Sequence, residues 1–280
     1  MKLLNKFINR EIDGRWFLGG SHLLLVTISF LFFGLQRSWG QILFAYSVGF
    51  VTEYLCFKFS DKYKNGKIWD RMFSAATESA GLLVLLKSHI WWFYGFFSFI
   101  AVSSKYVFRK ENNSHIFNPT NFAITLGLTL FPIHWFGAWP DEYMLTTYPM
   151  VQVSLMGAIA VWLGRTYVVS ISYVIGLFIW LVLFFPMSSL TDLVYAIGPE
   201  FGAIGLIYLF LMITDPKTAP TNYYAQMIYG LCIALIHVYL RKNQLLYSRY
   251  VALFIVTLGY YFISNYLGFV RSFVFKSSSR

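Results

Sequence analysis

Side chains able to do chemistry are few in this chain, and most of them interrupt apolar sequence. Glu53 and Glu78 stand inside apolar runs. A carboxylate at membrane depth costs ~2.5–3.5 kcal/mol on insertion scales, so it needs a partner or serves a pathway. The candidate partners of Glu78 are His115 and Lys105, as a charge pair or a charge pathway, and a purely structural buried pair would meet the same cost. Glu53 lies five residues before Lys58, near the end of its run, which suits snorkelling to the interface. His22 and His237 are lone histidines on apolar helices and read as hydrogen-bonded packing residues. Cys56 and Cys232 are isolated; two thiols cannot supply the four ligands of a usual iron–sulfur cluster, and no metal site is expected. No HExxH, GxSxG, Walker or dinucleotide-glycine pattern occurs.

The densest polar chemistry lies in two proline-containing stretches. The first runs His115-Ile116-Phe117-Asn118-Pro119-Thr120-Asn121-Phe122 and leads into an apolar piece ending at Phe131-Pro132. Asn118 is a good N-cap and Pro119 suits the first helical turn. The apolar piece is shorter than the ~20 residues a spanning helix needs. It therefore reads as a half-helix whose N-terminal N–H groups and positive dipole end open at membrane depth, an arrangement that holds anionic groups. An ordinary capped helix start at the water interface, with no ligand, fits the same residues. The second stretch, Leu211-Met212-Ile213-Thr214-Asp215-Pro216-Lys217-Thr218-Ala219-Pro220-Thr221-Asn222, repeats the idea. Asp215 can cap the helix that follows, hold a cation, or accept from a hydroxyl. Arg109 and Lys110 can pair with phosphate or simply mark the inner face. Two interrupted segments in corresponding places of two halves point to a site between repeats.

The elements that must position these residues follow from composition. The 280 residues are 58% hydrophobic, 21% aromatic and 12% charged, with mean hydropathy +0.58; a soluble domain carries about twice that share of charge. Long apolar runs without alternation predict an all-α polytopic membrane protein and not a barrel. Run lengths predict ten segments, near 16–35, 39–57, 72–86, 89–108, 118–132, 150–164, 167–185, 200–213, 223–240 and 250–268. With the N-terminus inside, 17 of the 22 Lys and Arg residues fall in inner loops, which predicts that both termini are cytoplasmic. Arg241, Lys242 and Arg249 fit that layout poorly. The net charge of +10 is thus a topology signal, and no nucleic-acid partner is expected.

Residues 1–15 form an amphipathic cytoplasmic segment that suits the membrane surface and is not a removable signal, since no small-residue cleavage site follows the apolar run. Residues 16–140 and 141–270 form two membrane repeats of five helices each, spanning or half-spanning, and an odd number per repeat makes them inverted. Residues 271–280 are a short basic cytoplasmic tail. The linker between repeats carries Trp135, Trp139, Tyr143 and Tyr148, an interfacial aromatic belt.

Three stretches carry a resemblance: Lys105-Tyr106-Val107-Phe108-Arg109, then His115 to Phe122, then Met212-Ile213-Thr214-Asp215-Pro216-Lys217-Thr218-Ala219-Pro220. In this order, over most of residues 70–240, the chain resembles the RnfD/NqrB family of membrane electron-transport subunits. It looks closest to the small stand-alone branch that includes the UnbU proteins of enediyne gene clusters. The resemblance implies a multi-pass protein of the bacterial inner (cytoplasmic) membrane, with ten helices in two inverted repeats, flavin held in the membrane, and electron passage to or from quinone or partner subunits. Larger members carry FMN linked by a phosphoester to the threonine of an Asp-x-x-Ser-Gly-Ala-Thr type motif. Here Ser74-Ala75-Ala76-Thr77 has Asp70 one residue too far upstream and lies before the Asn-Pro-Thr-Asn-Phe stretch, so Thr77 reads as a helix residue and covalent FMN is not expected.

On that resemblance the chain takes part in flavin- or quinone-linked electron transfer, as a non-catalytic subunit of a redox-driven complex. A non-covalent flavin (FMN or riboflavin) or a quinone would be framed by Asn118, Thr120, Asn121, Thr214, Asp215 and Thr218. Phe117 and Phe122 are the first choices to stack on its ring. The partners would be the lipid bilayer and other redox or biosynthetic membrane subunits. A transporter for a small anionic or flavin-like solute uses the same frame equally well, and a scaffold for a redox or biosynthetic partner is the third reading.

Overall fold

Apolar runs set the helices, and polar caps and prolines set where they begin. The computed structural model describes residue 9 and residues 15–32, 36–60, 68–110, 114–132, 135–137, 142–186 and 189–277. The amphipathic segment 1–15 and Trp139 therefore fall almost wholly outside the described residues. The chain is all-α, with helices α1 (Arg15–Phe32), α2 (Trp39–Phe59), α3 (Ile68–Leu85), α4 (Phe93–Val107), α5 (Pro119–Leu130), α6 (Thr147–Gly164), α7 (Tyr167–Phe184), α8 (Leu190–Ile197), α9 (Ala203–Ile207), α10 (Tyr223–Lys242) and α11 (Ser248–Ser277). A π-helical turn, Tyr208–Met212, extends α9. A two-residue ribbon pairs Lys87–Ser88 with Phe136–Gly137.

Each expected segment coincides with a helix. The addition is α8, opened by a capping box in which Ser189 and Asp192 satisfy each other's backbone N–H groups; the Ser-x-x-Asp spacing was its signal. Among the described residues four helices, α2, α6, α7 and α10, are long and apolar enough to cross a membrane, and Leu190–Met212 makes a fifth if counted as one span bent by 63°. The outer face of α7 carries Ile171, Ile175, Phe178, Ile179, Val182 and Leu183, all exposed. A continuous apolar face of that kind is consistent with lipid as its surroundings.

Some of the helix contacts recur between the two halves. In the first half α1 packs on α3, α2 on α4 and α4 on α5; in the second, α6 packs on α9 and its π turn, α7 on α10 and α10 on α11. Contacts such as Phe44 with Gly95, and Val169 and Ala234 with Gly230 and Gly176, show that α2 runs parallel to α4 and α7 to α10. Between halves, α1 packs on α6 and α5 on α11, the latter pair antiparallel, since Asn121 and Thr125 meet Tyr250 while Phe117 meets Phe254. Gly20 lies by Met156 while the Gln152 amide donates to the Ser21 carbonyl.

The α5–α11 contact has a consequence for depth. Asn121 Nδ2 and Thr125 Oγ1 both donate to the Tyr250 carbonyl, at 3.1 and 3.2 Å, and Phe117 stacks on Phe254 at 4.8 Å. Two antiparallel helices entering a ~30 Å slab from opposite faces would pair first turn with last turn. Here first turn meets first turn. The 12 residues of α5 reach only about 18 Å.

Candidate functional site

The first proline stretch is aimed inward by a short backbone clasp. After α4, Lys110 N–H donates to the Ser114 carbonyl and Ile116 N–H to the Phe108 carbonyl, with Arg109 bridged to His115. Asn118 then caps α5, its side-chain oxygen accepting from Asn121 N–H at 3.0 Å, with Pro119 in the first turn. The second stretch turns after the π-helical residues, with Asp215 Oδ1 accepting from Lys217 N–H at 3.0 Å. The two stretches touch. Asn118 Nδ2 reaches Asp215 Oδ2 at 3.5 Å, and Lys217 Nζ lies 3.4 Å from His115 Nε2. Burial, then the Lys217 and Lys105 ammonium groups, push the His115 imidazole far below its ordinary pKa. That favours the neutral imidazole, whose Nε2 can accept from Lys217.

A cavity of about 180 Å³ opens between these stretches, the start of α1 and the first half of α3. Its polar lining includes Asp70, Glu78, His115, Asn118, Asp215 and Lys217. Trp16, about half exposed, stands at its rim. Glu78 joins the cavity to a buried charge cluster. Lys105 Nζ lies 2.9 Å from Glu78 Oε2 and 2.7 Å from Glu53 Oε2, and donates to Ser74 Oγ at 3.3 Å. Three acceptors match the three N–H donors of an ammonium. Ser74 in turn donates to Glu78 Oε1, and the Tyr106 hydroxyl donates to Glu53 Oε1.

The sequence-derived residues divide. Asn118, Thr120, Asp215, Glu78 and His115 line the cavity. Glu78 has Lys105 as partner, as expected, while His115 pairs with Lys217. Asn121 lies buried beside α11, which it fastens. Thr214 donates to the Phe210 carbonyl and Thr218 to the Asp215 carbonyl, so both hydroxyls serve their own turns. Phe117 and Phe122 form an aromatic cluster with Phe108 and Phe254, outside the lining of this cavity. Glu53 does not snorkel; it is 2% exposed and bound to Lys105. Asp215 does not cap α10, whose N-cap is Asn222. Thr77 is helical, its hydroxyl donating to the Phe73 carbonyl, and it lines the cavity together with Ser74 and His22.

The two stretches also do not occupy corresponding places. By packing order the α4–α5 connection matches α10–α11, whereas Asp215-Pro216 lies between α9 and α10. They meet because both connections lie at the same end of the bundle.

The three late basic residues that fitted the charge pattern poorly are structural. Arg241 Nη1 and Arg249 Nη2 lie 3.5 and 3.4 Å from buried Glu200 Oε1, and Lys242 sits over the Phe184 ring. Arg37 is buried too and donates to the Leu86 carbonyl at the end of α3. Basic residues recruited this way report on packing, not on sidedness.

No family model matches the chain, and no curated protein is significantly similar to it. The chemistry has therefore to be judged on geometry. Three carboxylates face two imidazoles and one ammonium around a small space, a lining suited to hydroxyl, amide or cationic groups. Its volume is below the ~300–1,000 Å³ of pockets that bury a drug-sized ligand, too small to enclose a whole flavin.

Proposed function

We propose that the chain is a multi-pass protein of the bacterial inner membrane, of RnfD/NqrB type, that takes part in flavin- or quinone-linked electron transfer. Ten spanning or half-spanning helices form two inverted five-helix repeats, with both termini cytoplasmic. The recurring contacts of the halves support this reading, with α2–α4 and α7–α10 parallel within each half and α5–α11 antiparallel between them. So does the removal of Arg37, Arg241 and Arg249 from the count of free outer charges.

The carrying observation is the contact between Asn118 and Asp215, 97 residues apart, at the mouth of a polar cavity. Asn118, Thr120 and Asp215 hold the polar edge of a non-covalent flavin or a quinone, whose remainder extends past Trp16. The bound group would supply the redox chemistry, and the chain position and field. Protein purified in mild detergent is expected to carry a flavin or quinone visible by absorbance and mass analysis. Asn118→Ala with Asp215→Ala is expected to cut its retention at least tenfold while the protein stays monodisperse. Purified protein devoid of either, from cells that make both, would overturn the reading.

One feature favours a second reading, transport of a small solute. The cavity at the starts of α1, α3 and α5 has a counterpart at the starts of α6, α9 and α11, as alternating access between inverted repeats requires. Uptake by proteoliposomes without a redox partner would decide for it.

A further inference from the structure

The counterpart cavity is larger, about 660 Å³, and chemically different. Glu200, at the bend before α9, is buried and is approached by His237, Arg241 and Arg249. One carboxylate faces two guanidinium groups, leaving a positive excess. His237 is held by the Tyr173 hydroxyl at 2.8 Å, so it braces the cluster. Each guanidinium has five N–H donors. Arg241 uses Nη1, on Glu200 and on the Ala196 carbonyl; Arg249 uses Nη2, on Glu200. Among the described residues, donors remain on both.

A second observation points to a ligand. Tyr250, 1% exposed, lines the same cavity. Its hydroxyl has no hydrogen-bond partner among the described residues. A buried hydroxyl left unpaired costs ~1–3 kcal/mol, a cost that a bound acceptor removes. The other walls are apolar, with Met144, Leu145, Met150, Ile204, Leu245 and Leu246 among them. Leu145, Leu245 and Leu246 are exposed, so the apolar wall continues outward.

We propose that this cavity binds an anionic amphiphile, its carboxylate or phosphate on Arg241, Arg249 and the Tyr250 hydroxyl and its hydrocarbon chain along the Met150–Ile204–Leu245 wall. Two sources share that chemistry, a free fatty acid and an anionic phospholipid of the surrounding bilayer. The site stands apart from the first cavity and does not depend on what fills it.

The test uses the full chain in non-ionic detergent, read by native mass spectrometry and thermal melting. Oleate or dioleoylphosphatidylglycerol is expected to bind one to one and raise the melting temperature. Dioleoylphosphatidylcholine and inorganic phosphate are expected to do neither. Whichever anionic probe saturates at the lower concentration identifies the source. Tyr250→Phe removes a hydroxyl with no partner among the described residues, so without ligand it should melt at or above the parent, and it should bind the better probe roughly tenfold more weakly. Arg241→Gln should weaken binding by at least as much. Equal stabilisation by phosphatidylcholine, or unchanged affinity in Tyr250→Phe, would overturn the proposal.

Discussion

Lys105→Met is expected to destabilise the protein by ~3–5 kcal/mol, the usual consequence of removing one partner from a buried ion cluster. The parent arrangement is closed on itself. Lys105 is 4% exposed, Glu53 2% and Glu78 7%, and the single ammonium serves both carboxylates and Ser74. Methionine keeps the length of the side chain and removes the charge, so the two carboxylates lose the ammonium between them. Thermal melts and the monodisperse fraction in detergent measure the loss. Adding Glu53→Gln and Glu78→Gln to Lys105→Met removes the stranded charges and should return most of the stability. A Lys105→Met protein that melts with the parent would mean that the cluster does not form.

That cluster also marks the limit of what the sequence made legible. The helices were readable because each apolar run stands alone against its flanks. The Asn118 cap and Pro119 first turn were readable because capping is local. Glu53 was misread because its partner lies on another helix, 52 residues away, while Lys58 lay close in sequence. Helical spacing held the better signal: Ile42, Ala45, Gly49 and Glu53 fall on one face, and that face is buried, whereas Lys58 is exposed. The role of Arg241 and Arg249 was hidden for the same reason, since Glu200 precedes them by more than 40 residues. The α5–α11 overlap at Tyr250 leaves no local trace at all, because a backbone carbonyl is the acceptor and any residue supplies one.

Packing between α7 and α10 makes the second large prediction. Polar and small residues, not hydrophobic burial, bring helices together in lipid, and Gly230 is the tightest case between these two helices. A Cβ at this position would lie 2.2 Å from Ser172 Oγ, 2.6 Å from the Val169 carbonyl oxygen and 3.0 Å from Tyr173 N. The last two are backbone atoms of a regular helix and cannot turn aside. Gly230→Ala should therefore push α10 away from α7 and cost ~2–3 kcal/mol, at the upper end for a single inserted carbon. Gly259, in α11, has nothing within 4 Å of its notional Cβ, so Gly259→Ala should be neutral or gain up to ~1 kcal/mol from helix propensity. Comparing the two melts isolates the steric term from the change of residue type. Combining Gly230→Ala with Ser172→Gly should recover little, since the carbonyl clash remains. Full recovery would place the obstruction in the side chain alone and argue against the close backbone approach. Because α10 also carries His237 and Arg241, the shift should be felt at the second cavity, where anionic amphiphiles would lose affinity in Gly230→Ala but not in Gly259→Ala.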